Sequence, residues 1–395
     1  MSTTLITRSD DLRRLRNEGY EVGVQANYLV LRNIPYVNEG GNVERGTLVS
    51  RLAMSGDTTT KPDDHVVYFD GNLPHDLNGR PVWKEGCAPN AQDLGDGLAV
   101  QWMFSRKPPG GYVDYYDKMT RYVRAISEPA AGIDPSATPR TFAVVEAENA
   151  DSPFKYLDTA SSRAEIGLAS AKLRIGPVAI VGLGGTGSYI LDLVAKTPVR
   201  EIHLFDGDTF LQHNAFRAPG APSVELLRSV PSKAEYFRDL YSPMRNHIHA
   251  HGAIDESTVG SLRDMDFVFI AANAAARRLI AEKLEEFDVP FIDVGMGLEQ
   301  VEGSVLGMLR VTTSTSTTRV LALQRLPAIT PEADGIYTTN IQVADLNALN
   351  ASLAVIKWKK ICGFYSDHQM EYSSAYQVNG NVLTNRTSAI LRDNA

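Results

Sequence analysis

The stretch VAIVGLGGTGSYILDLV (178–194) constrains this chain more than any other. An apolar segment runs into Gly182, Gly184, Gly185 and Gly187 and then into a helical pattern, the context in which G-x-G-x-x-G holds phosphate. Gly182 permits the tight turn, Gly184 lets backbone approach a phosphate, and Gly187 lets helix and strand pack closely. The helix start adds free N–H groups and partial positive charge. Asp206 closes the next apolar run, where a carboxylate can accept both ribose hydroxyls of NAD or of ATP. The turn alone therefore leaves open NAD, ATP, or a tight packing turn with no ligand.

The surrounding pattern alternates strand and helix. VAIVGLG, 201–208, 267–273 and 291–297 are short and almost wholly apolar, and helical stretches such as 275–287 fall between them. Continuous apolar strands belong to a parallel sheet covered on both faces, and right-handed crossovers then give a doubly wound α/β, Rossmann-like domain. A second helix is expected over 343–364, with Leu346, Leu349, Leu353, Ile356 and Lys360 on one stripe. Its Ala-rich face could pack on the sheet or on another subunit. Upstream, a helix is expected over 9–18, strands over 27–37, 46–52 and 64–71, and a helix over 110–126. A three-proline loop comes next at 127–140, then a strand at 141–147. A chain of 395 residues exceeds one ordinary core, so we divide it into a smaller α+β domain (1–150) and the α/β domain (151–395).

Composition removes several classes. Net charge is −8 and the basic residues are scattered, which speaks against a nucleic-acid groove. No run approaches the ~18 apolar residues of a membrane span, and the N-terminus lacks the apolar segment of a signal peptide. Cys87 and Cys362, the two cysteines, cannot build a disulfide framework or a four-thiolate zinc site. A reduced, cytoplasmic protein is expected. His65 and His75 read as surface or turn histidines.

The residues beyond Asp206 separate the nucleotides. Asp208, Asn214 and Arg217 come next, and Lys233 soon after. A dinucleotide's pyrophosphate is already served by the helix start. An enzyme that breaks the α–β bond of ATP must neutralise a leaving pyrophosphate, which is work for Arg and Lys. The residues GLGGTGS (182–188), Asp206, Asp208, Asn214, Arg217 and Lys233 resemble the ThiF/MoeB family, the adenylating fold shared with ubiquitin-activating enzymes. VPFIDVGMGLEQVEGSV (289–305) is similar to the family's later strand, and ADLNALNASLAVIKWKK to its C-terminal helix. Arg163 stands where the family has an arginine that reaches a neighbouring subunit's site.

The resemblance implies ATP and Mg2+, a homodimer, and adenylation of the C-terminal glycine carboxylate of a ubiquitin-like carrier. It assigns Asp206 to the ribose, Asn214, Arg217 and Lys233 to the phosphates, and the 182–187 backbone to the nucleotide. No nucleic acid and no membrane take part. The N-terminal region resembles an uncharacterised domain fused ahead of ThiF-like domains in bacterial ubiquitin-like operons. Such operons carry a conjugating enzyme and are associated with phage defence, so recruitment of the carrier or the next enzyme is the expected task of this domain.

Two positions depart from the family pattern. Asn273 and Arg277 are present, but Ala272 stands where the family has an Asp that helps hold magnesium, and a methyl offers no oxygen. Three explanations are open: an inactive relative, a metal held by another acid such as Asp208 or Asp293, or a residue altered to trap ATP. Second, the stretch 311–340, where ubiquitin-activating members carry a thioester cysteine, has none. Cys362 reads as a buried apolar residue and Cys87 as a loop residue open to solvent. The Ser/Thr cluster 312–318 reads as a mobile polar loop, with an unusual hydroxyl nucleophile as the alternative. The competing functions are an adenylating enzyme, an inactive ATP-binding scaffold of the same family, and an NAD-dependent oxidoreductase.

Overall fold

Two sheets organise the chain, each in its own unit. A computed structural model describes residues 2–147, 152–326 and 341–387. It divides into a first unit, Met1–Glu148 with Leu157–Glu165, and a second, Asn149–Tyr156 with Ile166–Ala395.

In the first unit, helices α1 (Ser2–Arg8) and α2 (Asp10–Asn17) precede β1 (Glu21–Gln25), β2 (Tyr28–Val37) and β3 (Val43–Arg51). A small hairpin, β4 (Met54–Ser55) with β5 (Thr58–Thr59), leads to β6 (Val66–Asp70), β7 (Cys87–Asp93) and β8 (Ala99–Ser105). The antiparallel sheet has the order β1-β2-β3-β6-β8-β7. Helix α3 (Tyr115–Ile133) packs on it and buries Tyr115, Met119, Tyr122 and Ile126 against Leu31, Phe69 and Phe104. Asp114 caps α3, its carboxylate accepting the Asp117 N–H. The unit ends with α4 (Thr159–Arg163).

Three expectations need correction here. Helix α3 does not stop at 126 but runs through Pro129 to Ile133. A proline inside a helix costs about 3 kcal/mol, and the buried stripe that continues through Ile126 and Ala130 offsets it. Residues 141–147 form no strand: Val144 is largely exposed and Phe142 sits at φ 51. Cys87 opens β7 opposite Phe104, half-buried, and burial raises its thiol pKa.

The second unit begins with α5 (Gly167–Ala171), β9 (Pro177–Val181), α6 (Gly185–Val194) and β10 (Glu201–Phe205). Short helices α7 (Gln212–Ala215) and α8 (Val224–Arg228) lead to α9 (Lys233–Tyr241), β11 (Ile248–His251) and β12 (Phe267–Ile270). Next come α10 (Ala274–Phe287), β13 (Phe291–Val301), β14 (Ser304–Ser314), α11 (Arg319–Leu323), the long helix α12 (Ala344–Ile361), β15 (Glu371–Gln377) and β16 (Val382–Thr387). The sheet order is β11-β10-β9-β12-β13-β14-β15-β16, parallel from β11 to β13 and antiparallel beyond. The doubly wound half is as expected; the antiparallel extension is not. Its strands mix polar and apolar residues, so they lack the continuous apolar runs of β9 and β12.

Helix α12 lies on α6, β13 and β14, so its small face packs on its own sheet. The buried residues are Asn347, Asn350, Ala351, Ala354, Val355, Lys357 and Trp358 with Leu346 of the expected stripe, while Ile356 is exposed. The stripe is thus turned from the expected one, because the close approach of α12 to the glycine turn selects small residues. The 312–318 cluster is no loose loop: Thr312, Thr313 and Ser314 are buried on β14, and Thr318 Oγ1 donates to the Thr313 carbonyl. Of the 311–340 stretch, residues 327–340 lie outside the described residues. Among the described residues no helix is long and apolar enough to cross a membrane.

Candidate functional site

Chain order reverses between β9 and β12. The β9–α6–β10 excursion goes one way and β12 lies on the other side, which opens a crevice beyond the carboxyl ends of the strands. A cavity of about 360 Å3 occupies it, within the usual range for ligand pockets. The glycine turn, Asp206, Asp208, Arg217, Lys233, Ala272, Asn273 and Arg277 all line it.

The turn's shape comes from its glycines. Gly182 has φ +90, and a Cβ there would meet the Ala271 carbonyl oxygen at 2.5 Å. A Cβ on Gly187 would run into the Gly182 carbonyl, and one on Gly185 into the Asn347 amide. Gly184 differs: a Cβ there meets nothing within 4 Å. Three glycines are therefore required by packing, and the fourth faces open space in the cavity wall.

Asp206 is a backbone organiser. Its Oδ2 accepts the Leu183 N–H (2.6 Å) and its Oδ1 the Asp208 N–H (2.8 Å). Lys233, the first residue of α9, is buried; its Nζ donates to Asp208 Oδ2 at 2.6 Å and lies 3.8 Å from Asp206 Oδ1. The Lys233 N–H donates to the Asp208 carbonyl and Phe210 N–H to Pro231, which zips this loop to the start of α9. Arg217 is partly buried, and its Nε is buried with no partner among the described residues. Burial alone lowers its pKa. A buried, unmatched guanidinium nitrogen at a cavity wall is costly unless an anion meets it.

Two expected site residues do not line this chain's cavity, Arg163 having been expected at a neighbouring subunit's site rather than at its own. Asn214 is buried and turned inward, its Oδ1 accepting the Leu211 N–H, and it does not line the cavity. Arg163 belongs to the first unit, where it donates to the Asn17 carbonyl (2.7 Å) and stands over the Phe142 ring. Asn273 caps α10, its Oδ1 accepting the Ala276 N–H. Asp293 is fully buried between Arg277 (2.6 Å) and Arg310 (2.8 Å). Arg277 also donates to the Ala272 and Val294 carbonyls. Asp293 therefore organises the pocket floor and has no oxygen to spare for a metal.

Asn347 is the residue sequence reasoning missed. Its Nδ2 donates to the Arg217 carbonyl (3.1 Å) and its Oδ1 accepts the Thr186 hydroxyl (3.1 Å), tying α12 to both the glycine turn and the arginine loop. Asn350, one turn on, donates to the Gly295 carbonyl. Two asparagines three apart on the inner face of an Ala-rich helix were the available signal.

Residues 161–390, more than half of the chain, match the ThiF family. The chain belongs to the ThiF family. Residues 10–159 match a domain of unknown function, DUF6791. Comparison with curated protein sequences gives no match. Among solved structures the chain is similar to PaaA, at 15% identity and a TM-score of 0.40 over 55% of this chain and 75% of that one. It is also similar to E. coli MccB with MccA-N7isoASN, at 15% identity and a TM-score of 0.43 over 56% of this chain and 66% of that one. The ATP-bound form of E. coli MccB matches at 14% identity and a TM-score of 0.41, over the same shares.

Proposed function

We propose that this ThiF-family chain adenylates the C-terminal glycine carboxylate of a ubiquitin-like carrier protein with ATP, as the first step of a bacterial conjugation pathway. The observation that carries the reading is that Arg217 and Lys233 line the same cavity as the glycine turn and Asp206. A dinucleotide site has no use for two more cations, whereas a splitting triphosphate does. In the reaction a carboxylate oxygen bonds to the α-phosphorus, the α–β bridging bond breaks, and pyrophosphate leaves. The carboxylate is already a nucleophile, so no general base is needed. The chain's residues position and neutralise: the turn's N–H groups and the start of α6 face phosphate, and Arg217 and Lys233 take up the charge that develops on the leaving group. Asp208, on the cavity wall with its carboxylate largely exposed, is the acid that would hold Mg2+, which normally takes one or two carboxylates beside phosphate oxygens.

A second reading, an ATP-binding scaffold without turnover, rests on Ala272. The experiment for both is carrier-dependent ATP–pyrophosphate exchange, run beside Ala272→Asp. The variant is expected to exchange roughly tenfold faster, the worth of one charge-assisted contact of about 1.5 kcal/mol. Equal rates rule out the missing-ligand account. Isothermal titration with ATP and with NAD is expected to give heat with ATP alone, and tight NAD binding would remove the adenylation reading.

A further inference from the structure

Strands β10 and β11 form one edge of the parallel sheet, and one face of that edge is unusually polar. In a strand, alternate residues share a face, and the register pairs His203 with His249 and Phe205 with His251. Glu201, His203 and Phe205 on β10 therefore stand beside His249 and His251 on β11. Parallel sheets are normally apolar on both faces. Here EIHLF and IHAH instead bring three imidazoles and a carboxylate together. The stabilisation that apolar contacts would supply at this edge is missing, and nothing in the proposed reaction uses these groups.

We propose that Glu201, His203 and His249 form a binding site for a zinc-type divalent ion, separate from the nucleotide cavity. One ligand atom from each residue lies within 4.8 Å of the others. Glu201 Oε2 is 3.5 Å from His203 Nε2 and 3.6 Å from His249 Nε2. Nitrogen and oxygen ligands at roughly 2.0–2.1 Å around a tetrahedral ion stand about 3.3–3.5 Å apart, so this spacing needs only small side-chain turns to close on a metal. Two imidazoles and one carboxylate suit zinc, copper or nickel over magnesium or calcium. The second observation is the outer support. His203 Nδ1 hydrogen-bonds His251 Nε2 at 3.0 Å, which fixes the His203 ring and, when Nδ1 carries the proton, leaves the Nε2 lone pair facing Glu201 and His249. His251 is in turn stacked on Phe205, with ring centres 4.5 Å apart. Three protein ligands leave a fourth position for water, and His249 and Glu201 are open enough to admit an ion. Beyond His251 the chain runs on to Ala253 and Ile254, which line the nucleotide cavity. A bound ion would pin the edge strand that carries this wall.

The test is titration of the untagged, metal-stripped full-length chain with Co2+, followed by its visible absorption and by competition with Zn2+. One equivalent of tetrahedral cobalt is expected, displaced by zinc, with affinity reduced at least tenfold in His249→Ala and in His203→Ala. His249 is the more exposed of the two, and each variant's fold is checked by circular dichroism without metal. Absence of saturable one-to-one binding overturns the proposal, as does unchanged affinity in a folded His249→Ala. Loss of the signal in Asp208→Asn but not in His249→Ala would put the ion in the nucleotide cavity and overturn it equally.

Discussion

Replacing Arg217 by methionine separates a residue held for folding from one held for an anion. In the free protein the Arg217 Nε is buried without a partner among the described residues, and the pKa of the guanidinium is depressed by burial alone. An unmet buried donor costs about 1–3 kcal/mol. Methionine has a similar length and no donor, so Arg217→Met is expected to stabilise the unliganded chain by about 1 kcal/mol, the lower end of that range. For a domain of this size, that raises the melting temperature by roughly 2–4 °C. In the proposed reaction the same change would remove a charged hydrogen bond to phosphate worth about 1.5–3 kcal/mol. ATP affinity should therefore fall roughly 10- to 140-fold. Differential scanning calorimetry without nucleotide and isothermal titration with a non-hydrolysable ATP analogue read the two effects on one sample. Opposite signs are the expected result. A variant that melts lower and binds the analogue within twofold of the parent would make Arg217 a packing residue, and the case for a pyrophosphate-splitting site would fall with it.

The same geometry fixes other outcomes. Gly184→Ala should fold as the parent does yet bind ATP at least tenfold more weakly, because its Cβ enters only open cavity. Its control, Gly187→Ala, should lose more than about 2 kcal/mol in urea unfolding, since its Cβ meets backbone that cannot yield. Asp293→Asn strands two guanidiniums and should cost about 3–5 kcal/mol, read as a lower urea midpoint. Burial raises the Cys87 thiol pKa and pushes Cys362 up to about 11, so both stay protonated near neutral pH. Pyrophosphate exchange in the double variant Cys87→Ser, Cys362→Ser should equal the parent's, with no thiol-sensitive carrier adduct on either; an adduct lost in the variant would show a thioester step.

The sequence disclosed what is periodic and hid what is paired at a distance. Strands β9, β10, β12 and β13 are legible because a sheet covered on both faces needs largely apolar runs, unbroken in β9 and β12. Strands β14 to β16 share one sheet with them but mix polar and apolar residues without a clear period, so EYSSAYQ and VLTNRT carry no comparable mark. The glycine turn and Asp206 are legible because local backbone geometry demands those residue types. Asn214 is not: its motif position gives no hint that the side chain turns back onto Leu211. Asn347 lies far along the chain from the turn it holds, and only its burial on a small-residue face betrays it.

The arrangement of acids narrows the question raised by Ala272. Among the described residues the cavity's own carboxylates are Asp206 and Asp208, with Asp293 beneath the floor. Asp293 is consumed by Arg277 and Arg310, and freeing it would strand two charges in the interior. Each oxygen of Asp206 already accepts a backbone N–H that shapes the turn. That leaves Asp208, whose side chain is 76% exposed and whose Oδ2 pairs with Lys233. With the Lys233 ammonium drawn onto phosphate in the proposed reaction, the Asp208 carboxylate would be free to hold a magnesium ion. On that proposal the alanine at 272 would weaken metal holding without abolishing it. Asp208→Asn in the present chain should consequently cost more exchange activity than the same change made on top of Ala272→Asp, where a second carboxylate shares the load. Equal losses in the two backgrounds would separate Asp208 from the metal altogether.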